Sequence, residues 1–292
     1  SLPLAGVVFS FFGFRLAIDM AGEAENPQKA MPIALIGSIV LCIILYTFIA
    51  STIYIHFRGK VRHKFIRQLF DHSTIMAPVN SFIYLFSGVP NQAYFDKHLF
   101  PQLNQLRDNW QLIESEAQKL VELGHIRASE KYDDIGFNSF FRSGWKRFYL
   151  KWYKSPLDSA KNLCPKTVEL LESIPGINAA MFTLLPKGGR LAKHRDPYAG
   201  SLRYHLGLIT PNSEKCFISV DGERYTWKNG EDVIFDETYI HFAENNTKQD
   251  RIILFCDIAR PMNNKIAEKI NHFFSRTIMA AAASRNIDTE NV

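Results

Sequence analysis

The sequence predicts a mainly β protein, a jelly roll of two packed antiparallel sheets with flanking helices, joined to one N-terminal transmembrane helix. Three observations predict it. No charged residue occurs from Ile33 to Phe57, a run long enough to cross a bilayer core of about 30 Å as a helix. From Asn178 to Ile258 short apolar runs are punctuated by Pro186-Lys187-Gly188-Gly189, Asp221-Gly222 and Asn229-Gly230, turn signals with no helical pattern between them. Strands so connected pair antiparallel and close into two sheets, whose mouth is a natural place for a metal and a small ligand. Within that region lie His194-Arg195-Asp196 and, far downstream, His241 and Arg251.

Composition places a membrane part beside a soluble part. Of the 292 residues 47% are hydrophobic, including 23 Phe, and the apolar ones crowd the N-terminal end. A net charge of +5 is too mild to argue for nucleic acid. The basic residues gather instead after the apolar run, at Arg58, Lys60, Arg62, Lys64 and Arg67. By the positive-inside rule that cluster faces the cytoplasm, and it suits anionic lipid headgroups. The cysteines Cys42, Cys164, Cys216 and Cys256 are scattered with no Cys-x-x-Cys, which excludes a disulfide scaffold and fits a reducing, cytoplasm-facing domain.

In chain order, Leu2–Phe14 is apolar but short for a span, and Arg15–Pro32 carries charges. The span follows over residues 32–57. Residues 58–95 form a basic juxtamembrane segment. Its stretch His72–Val89, broken by Pro78, is either an interfacial element or an ordinary core helix. Residues 96–261 hold the jelly roll with a bracing helix, read from the periodic Leu103, Leu106, Trp110, Ile113, Ala117, Leu120 and Val121. Gly144–Tyr153 reads as a strand whose aromatics fill core or line a pocket, core packing being the better expectation. Asn245-Asn246-Thr247 fits a glycosylation acceptor only in form. Residues 262–292 form an amphipathic helix (Ile266, Ile270, Phe273, Phe274, Ile278, Met279) and a tail, suited to lie on a membrane surface.

The chemistry is carried by a few side chains. Residues i and i+2 of a strand share a face, so His194 and Asp196 can close on one metal ion. His241, arriving from another strand, completes two imidazoles and one carboxylate, the ligand choice of non-haem Fe(II) oxygenases. Arg251, ten residues on, opens the apolar run Ile252-Ile253-Leu254-Phe255. A guanidinium there needs a buried anion, because an unpaired buried charge costs several kcal/mol. A dicarboxylate such as 2-oxoglutarate would supply one through a bidentate fork. Arg203, in Leu202–Leu208, poses the same question, and for both arginines a protein carboxylate is the alternative partner.

With these residues in place, the segment from about Arg58 to Pro261 resembles the aspartyl/asparaginyl β-hydroxylase family of Fe(II)/2-oxoglutarate dioxygenases, and within it the bacterial lipid A 2-hydroxylases. The resemblance implies a cupin-like double-stranded β-helix with His194 and His241 as iron ligands, to which the carboxylate of Asp196 adds a third. It implies that Arg251 clamps the far carboxylate of 2-oxoglutarate, and that Arg203 and His205 contact its other end, with O2 as oxidant. Animal protein-hydroxylating members resemble this pattern without an acidic residue at the position of Asp196, so Asp196 favours the bacterial branch. The function implied is hydroxylation of a fatty acyl chain of lipid A at the bacterial inner membrane, the catalytic domain facing the cytoplasm. No obligate protein partner is evident. The alternatives are hydroxylation of Asp or Asn side chains in a protein, and a non-catalytic, membrane-tethered metal-binding module. A second, unrelated resemblance covers Phe11 to about Tyr46. There Gly22-Glu23-Ala24-Glu25-Asn26-Pro27-Gln28-Lys29-Ala30-Met31-Pro32-Ile33 is similar to a loop of amino-acid permeases. One and a half helices cannot form a transporter site, so residues 1–31 are expected to be a permease-like remnant or extension, with the enzyme's own anchor beginning near Leu45.

Overall fold

The structure is a computed structural model that describes residues 26–128, 138–153 and 155–277. Residues 1–25 of the N-terminal stretch, and Ile278, Met279 and the tail, lie outside the described residues. The chain divides into two compact units, residues 1–53 and 54–292.

Residues 27–53 of the first unit lie in the helix Pro27–Phe57, which among the described residues is the one helix long and apolar enough to cross a membrane. It starts five residues before the expected Pro32, at a proline, because the first turn of a helix has no use for the missing N–H. Its side chains from Ile36 to Tyr46 are largely exposed.

The described residues of the second unit form ten strands. They are β1 (Tyr94–Phe95), β2 (Lys146–Trp152), β3 (Ile177–Leu185), β4 (Arg190–His194), β5 (Ser201–Ile209), β6 (Cys216–Val220), β7 (Glu223–Thr226), β8 (Asp232–Phe235), β9 (His241–Asn245) and β10 (Arg251–Ala259). One sheet has the order β1-β8-β5-β10-β3-β2, the other β4-β9-β6-β7. All their pairings are antiparallel. From β3 to β10 the chain passes back and forth between the two sheets, which is the double-stranded β-helix expected from the turn spacing. At the β6–β7 turn, Asp221 and Gly222 have φ of 52° and 89°, the left-handed pair of a two-residue hairpin.

Strands β3, β5 and β10 are buried along nearly their whole length, since helices cover the outer face of the larger sheet. The helix Trp110–Glu122 packs on β5, as expected of a brace, with Ile113, Ala117 and Leu120 inward. Its buried Glu116 accepts from the backbone N–H groups of Lys166 (3.1 Å) and Thr167 (2.8 Å), the first turn of the helix Pro165–Ser173, where a negative charge is favoured. The predicted His72–Val89 element is split into His72–Ile75 and Ala77–Leu85. Pro78 opens the second helix instead of breaking it, and Ala77, Asn80, Ile83 and Tyr84 face inward. The C-terminal helix Lys265–Thr277 turns Ala267, Asn271 and Ser275 inward and leaves Ile266 and Phe273 of its apolar face exposed. Asn271 dictates this orientation, bonding the Tyr198 hydroxyl and the carbonyl of Gly200. All four cysteines are free thiols. Asn245 is fully buried, its amide donating to the carbonyls of Leu185, Pro186 and Gln249, so it serves as a strand staple and offers no glycosylation site.

Candidate metal centre

Where β4 ends and β9 begins, His194 and His241 are direct cross-strand partners, their ring centroids 4.2 Å apart. Asp196 joins them, and one ligand atom from each of the three lies within 4.8 Å of the others. The mechanism of convergence differs from strand alternation. The strand stops at His194, and Asp196 sits in the following loop, where its N–H donates to the carbonyl of Glu237 at 2.9 Å.

Both imidazoles are oriented by backbone. Nδ1 of His194 lies 2.7 Å from the carbonyl of Ala192, and Nδ1 of His241 lies 2.9 Å from that of Tyr239. A carbonyl can only accept, so Nδ1 carries the proton and Nε2 presents a lone pair to the centre, the outer support typical of a ligating histidine. Burial, with His194 close by, pushes His241 down to about 3, leaving it neutral and ready to ligate. Asp196 is driven the other way: burial opposes its ionisation, but Arg203 and the two imidazoles outweigh it and hold the carboxyl well below its usual range.

Arg203 and Arg251 have opposite surroundings. Arg203 on β5 contacts Asp196 Oδ2 at 2.6 Å and also Glu237 and its cross-strand neighbour Asp257. The alternative partner considered for it, a protein carboxylate, is therefore present three times over. Tyr153 donates to Asp257 (2.9 Å) and Ser201 to Glu237 (2.7 Å). Burial, with Asp257 and Asp196 crowding it, raises Glu237 well above the usual carboxylate range despite the guanidinium. Arg251, only 2% exposed, lies over the Trp227 ring at 4.3 Å. Its Nε has no hydrogen-bond partner, and among the described residues no carboxylate forms an ion pair with it. Burial pushes it down to about 10. His205 is buried with both ring nitrogens unpartnered among the described residues and is stacked on Phe255. Burial, then Arg251 and Arg203, hold it well below its ordinary value.

These six residues line one cavity of about 510 Å³, counting its open mouth. Half-buried Phe140 and Leu191 and buried Trp145 add an apolar wall, with Phe140 packed 4.9 Å from the His194 ring. Trp145 thus faces the cavity, whereas Phe148 and Tyr149 are core. Sequence reasoning missed Thr183, Trp227 and Phe140 in the lining, which carry no motif. It also missed Glu237 and Asp257, for which acids inside apolar runs were the available signal.

The Aspartyl/Asparaginyl beta-hydroxylase family profile matches residues 107–261, over half of the chain. The chain belongs to this hydroxylase family. An ornithine lipid ester-linked acyl 2-hydroxylase of Rhizobium tropici is 32% identical over 197 residues, covering 65% of this chain and 69% of that protein. The human aspartyl/asparaginyl beta-hydroxylase is 27% identical over 164 residues, 54% of this chain but only 21% of that protein. A solved Pseudomonas putida prolyl-4-hydroxylase covers 58% of this chain and 94% of its own, at 14% identity and a TM-score of 0.37. The Amino acid permease profile matches residues 3–83, so the permease likeness runs past Tyr46 and through the apolar helix.

Proposed function

We propose that this chain is an Fe(II)- and 2-oxoglutarate-dependent dioxygenase that hydroxylates a fatty acyl chain of a membrane lipid. Lipid A at a bacterial inner membrane is the substrate expected from sequence, and the ester-linked chain of an ornithine lipid is the one that the Rhizobium relative's name supports. The observation that carries the reading is Arg251, a buried cation without a counter-ion among the described residues, in the same cavity as His194, Asp196 and His241. A metal site alone needs no such arginine, which disfavours a non-catalytic metal-binding module.

The residues fit the implied cofactors. His194, Asp196 and His241 would hold Fe(II), a two-imidazole, one-carboxylate set that leaves positions open. With 2-oxoglutarate and O2 that centre, when bound, supplies the oxidation of an unactivated C–H to an alcohol, coupled to decarboxylation of the co-substrate to succinate. Arg251 would take the distal carboxylate by a charge-assisted fork, and Trp227, His205 and Ile253 would keep water from it. Arg203 keeps Asp196 ionised and oriented; His205, neutral, remains a hydrogen-bonding group for the other end of the co-substrate.

Phe140, Trp145 and Leu191 offer an alkyl chain apolar contact beside His194. Arg203 is engaged by three carboxylates and Arg251 is reserved for the co-substrate, so among the described residues no further cation lines the cavity for an aspartyl side chain. This favours acyl hydroxylation over the protein-hydroxylating alternative. Exposed Phe65, Ile66, Phe70 and Ile75 beside Arg62, Lys64 and Arg67 support a seat at an anionic bilayer surface, and the positive-inside rule supports its cytoplasmic side. The test uses the full chain in nanodiscs with Fe(II), ascorbate and 2-oxoglutarate. Succinate release should rise on adding acylated lipid and not on adding an Asp- or Asn-containing peptide; the reverse pattern overturns the lipid reading.

A further inference from the structure

The loop Arg195–Gly200, which carries Asp196, joins β4 of the smaller sheet to β5 of the larger. It lacks a regular ladder, yet it must place a carboxylate to within a few tenths of an ångström if Asp196 is a ligand. Part of its support comes from far away in the sequence. Asn80, fully buried on the helix Ala77–Leu85, donates from Nδ2 to the carbonyl of Pro197 at 2.8 Å. Its Oδ1 accepts from the N–H of Ala199 at 2.9 Å. One amide thus satisfies the carbonyl and the N–H that flank Tyr198, as a neighbouring strand would. Ala199 itself packs into a small separate core with Ile55, Ala77, Ile83 and Tyr84.

The same segment grips the second loop of the centre. Tyr84, one turn after Asn80, donates to buried Asp236 at 3.0 Å. Arg58 reaches Asp236 at 3.4 Å and Thr238 at 2.5 Å, its guanidinium held between the rings of Tyr84 (4.0 Å) and Tyr239 (3.9 Å). Asp236 and Thr238 belong to the turn that carries Glu237 and leads into His241. Residues 54–85 therefore touch both ligand-bearing loops, although they lie outside the matched hydroxylase segment 107–261.

We propose that Asn80 is a positioning residue for the metal centre, acting through Asp196, so that the juxtamembrane helix Ala77–Leu85 is a working part of the site. The inference rests on the reading of Asp196 as a ligand and goes beyond it. Outer supports of this kind are worth about 10- to 100-fold in metal affinity, and Asn80 should act only while the Asp196 carboxylate is there to be placed.

The test is a double-mutant cycle on the full chain in detergent, with Co(II) alone as the probe, read as the dissociation constant and the ligand-field absorption spectrum. Asn80→Ala should weaken Co(II) about 10- to 100-fold and alter the spectrum, whereas in an Asp196→Ala background the same change should add less than about twofold. Thr167→Val, which removes a buried bond to Glu116 remote from both loops, should lower the melting temperature and leave Co(II) affinity unchanged. If Asn80→Ala fails to fold, Asn80→Asp keeps the acceptor for Ala199 and loses the donor to Pro197, and a weakened affinity is again expected. Unchanged affinity in a folded Asn80 variant, or an equal loss in both backgrounds, would overturn the proposal. Wild-type affinity in Asp196→Ala alone would instead refute the ligand assignment, and the proposal with it.

Discussion

Arg251→Met should stabilise the ligand-free protein while abolishing its response to 2-oxoglutarate. Burial pushes the guanidinium down to about 10. At about 1.36 kcal/mol per pH unit, the gap from an ordinary arginine makes holding the charge cost on the order of 3 kcal/mol. The face of Trp227 returns about 1 kcal/mol of this, leaving a net penalty near 2 kcal/mol. For a cation whose folded-state pKa is depressed, that penalty is present in full below the folded value, hence at all pH values from neutral to about 10. Methionine fills similar space with no charge, so the metal-free variant should melt about 4–8 °C higher than wild type. The order reverses with co-substrate. At a hundredfold excess over its dissociation constant, 2-oxoglutarate adds about 2.7 kcal/mol to wild type and nothing to the variant. The assay is thermal unfolding of the full chain in detergent, with and without 2-oxoglutarate and a redox-inert divalent metal. A ligand-free variant that melts lower than wild type, yet gains the same increment from 2-oxoglutarate, would refute the view of Arg251 as an anion clamp lacking a protein partner.

Other outcomes follow from the same geometry. His241→Ala removes one of the three proposed ligands and should weaken Co(II) binding by more than about 100-fold, measured by titration, with succinate formation lost in parallel. Gly207→Ala should be among the most disruptive single changes, because its Cβ would collide with the backbone carbonyl oxygen of Lys228. Backbone cannot yield cheaply, so a loss of at least about 2 kcal/mol is expected in thermal unfolding. Ile66→Asp combined with Phe70→Asp should raise the apparent KM for lipid presented in nanodiscs several-fold and leave Co(II) affinity unchanged, since both side chains are exposed and outside the cavity.

The fold was legible where physics is local. Asp221-Gly222 and Asn229-Gly230 mark turns because their chemistry permits positive φ, and the alternation of short strands between them left few topologies open. The three side chains of the candidate centre stood out because histidine and aspartate two residues apart, with a second histidine ahead of an arginine-led apolar strand, are unusual in combination, and the fold brings them together. The reason offered for their convergence needed revision, since Asp196 lies past the end of β4 and is steered by the Glu237 carbonyl. What could not be read were partnerships across long sequence separations. Nothing in the run around Asn80 announces that its amide meets Pro197 and Ala199, and Arg58 reads as one more lysine-like charge beside a span until Asp236 and Thr238 are found against it. Arg203 and Arg251 look alike in sequence. Only the register that sets Asp257 opposite Arg203, and leaves Arg251 facing Trp227, tells the occupied guanidinium from the available one.

The most direct measurement of the central claim is the mass spectrum of lipids recovered from the full chain in nanodiscs after incubation with Fe(II), 2-oxoglutarate and isotopically labelled dioxygen. The account predicts an acyl chain heavier by one labelled oxygen atom, one succinate formed per chain modified, and neither product from His241→Ala. Succinate without any labelled lipid, or labelled lipid that persists in His241→Ala, would contradict it.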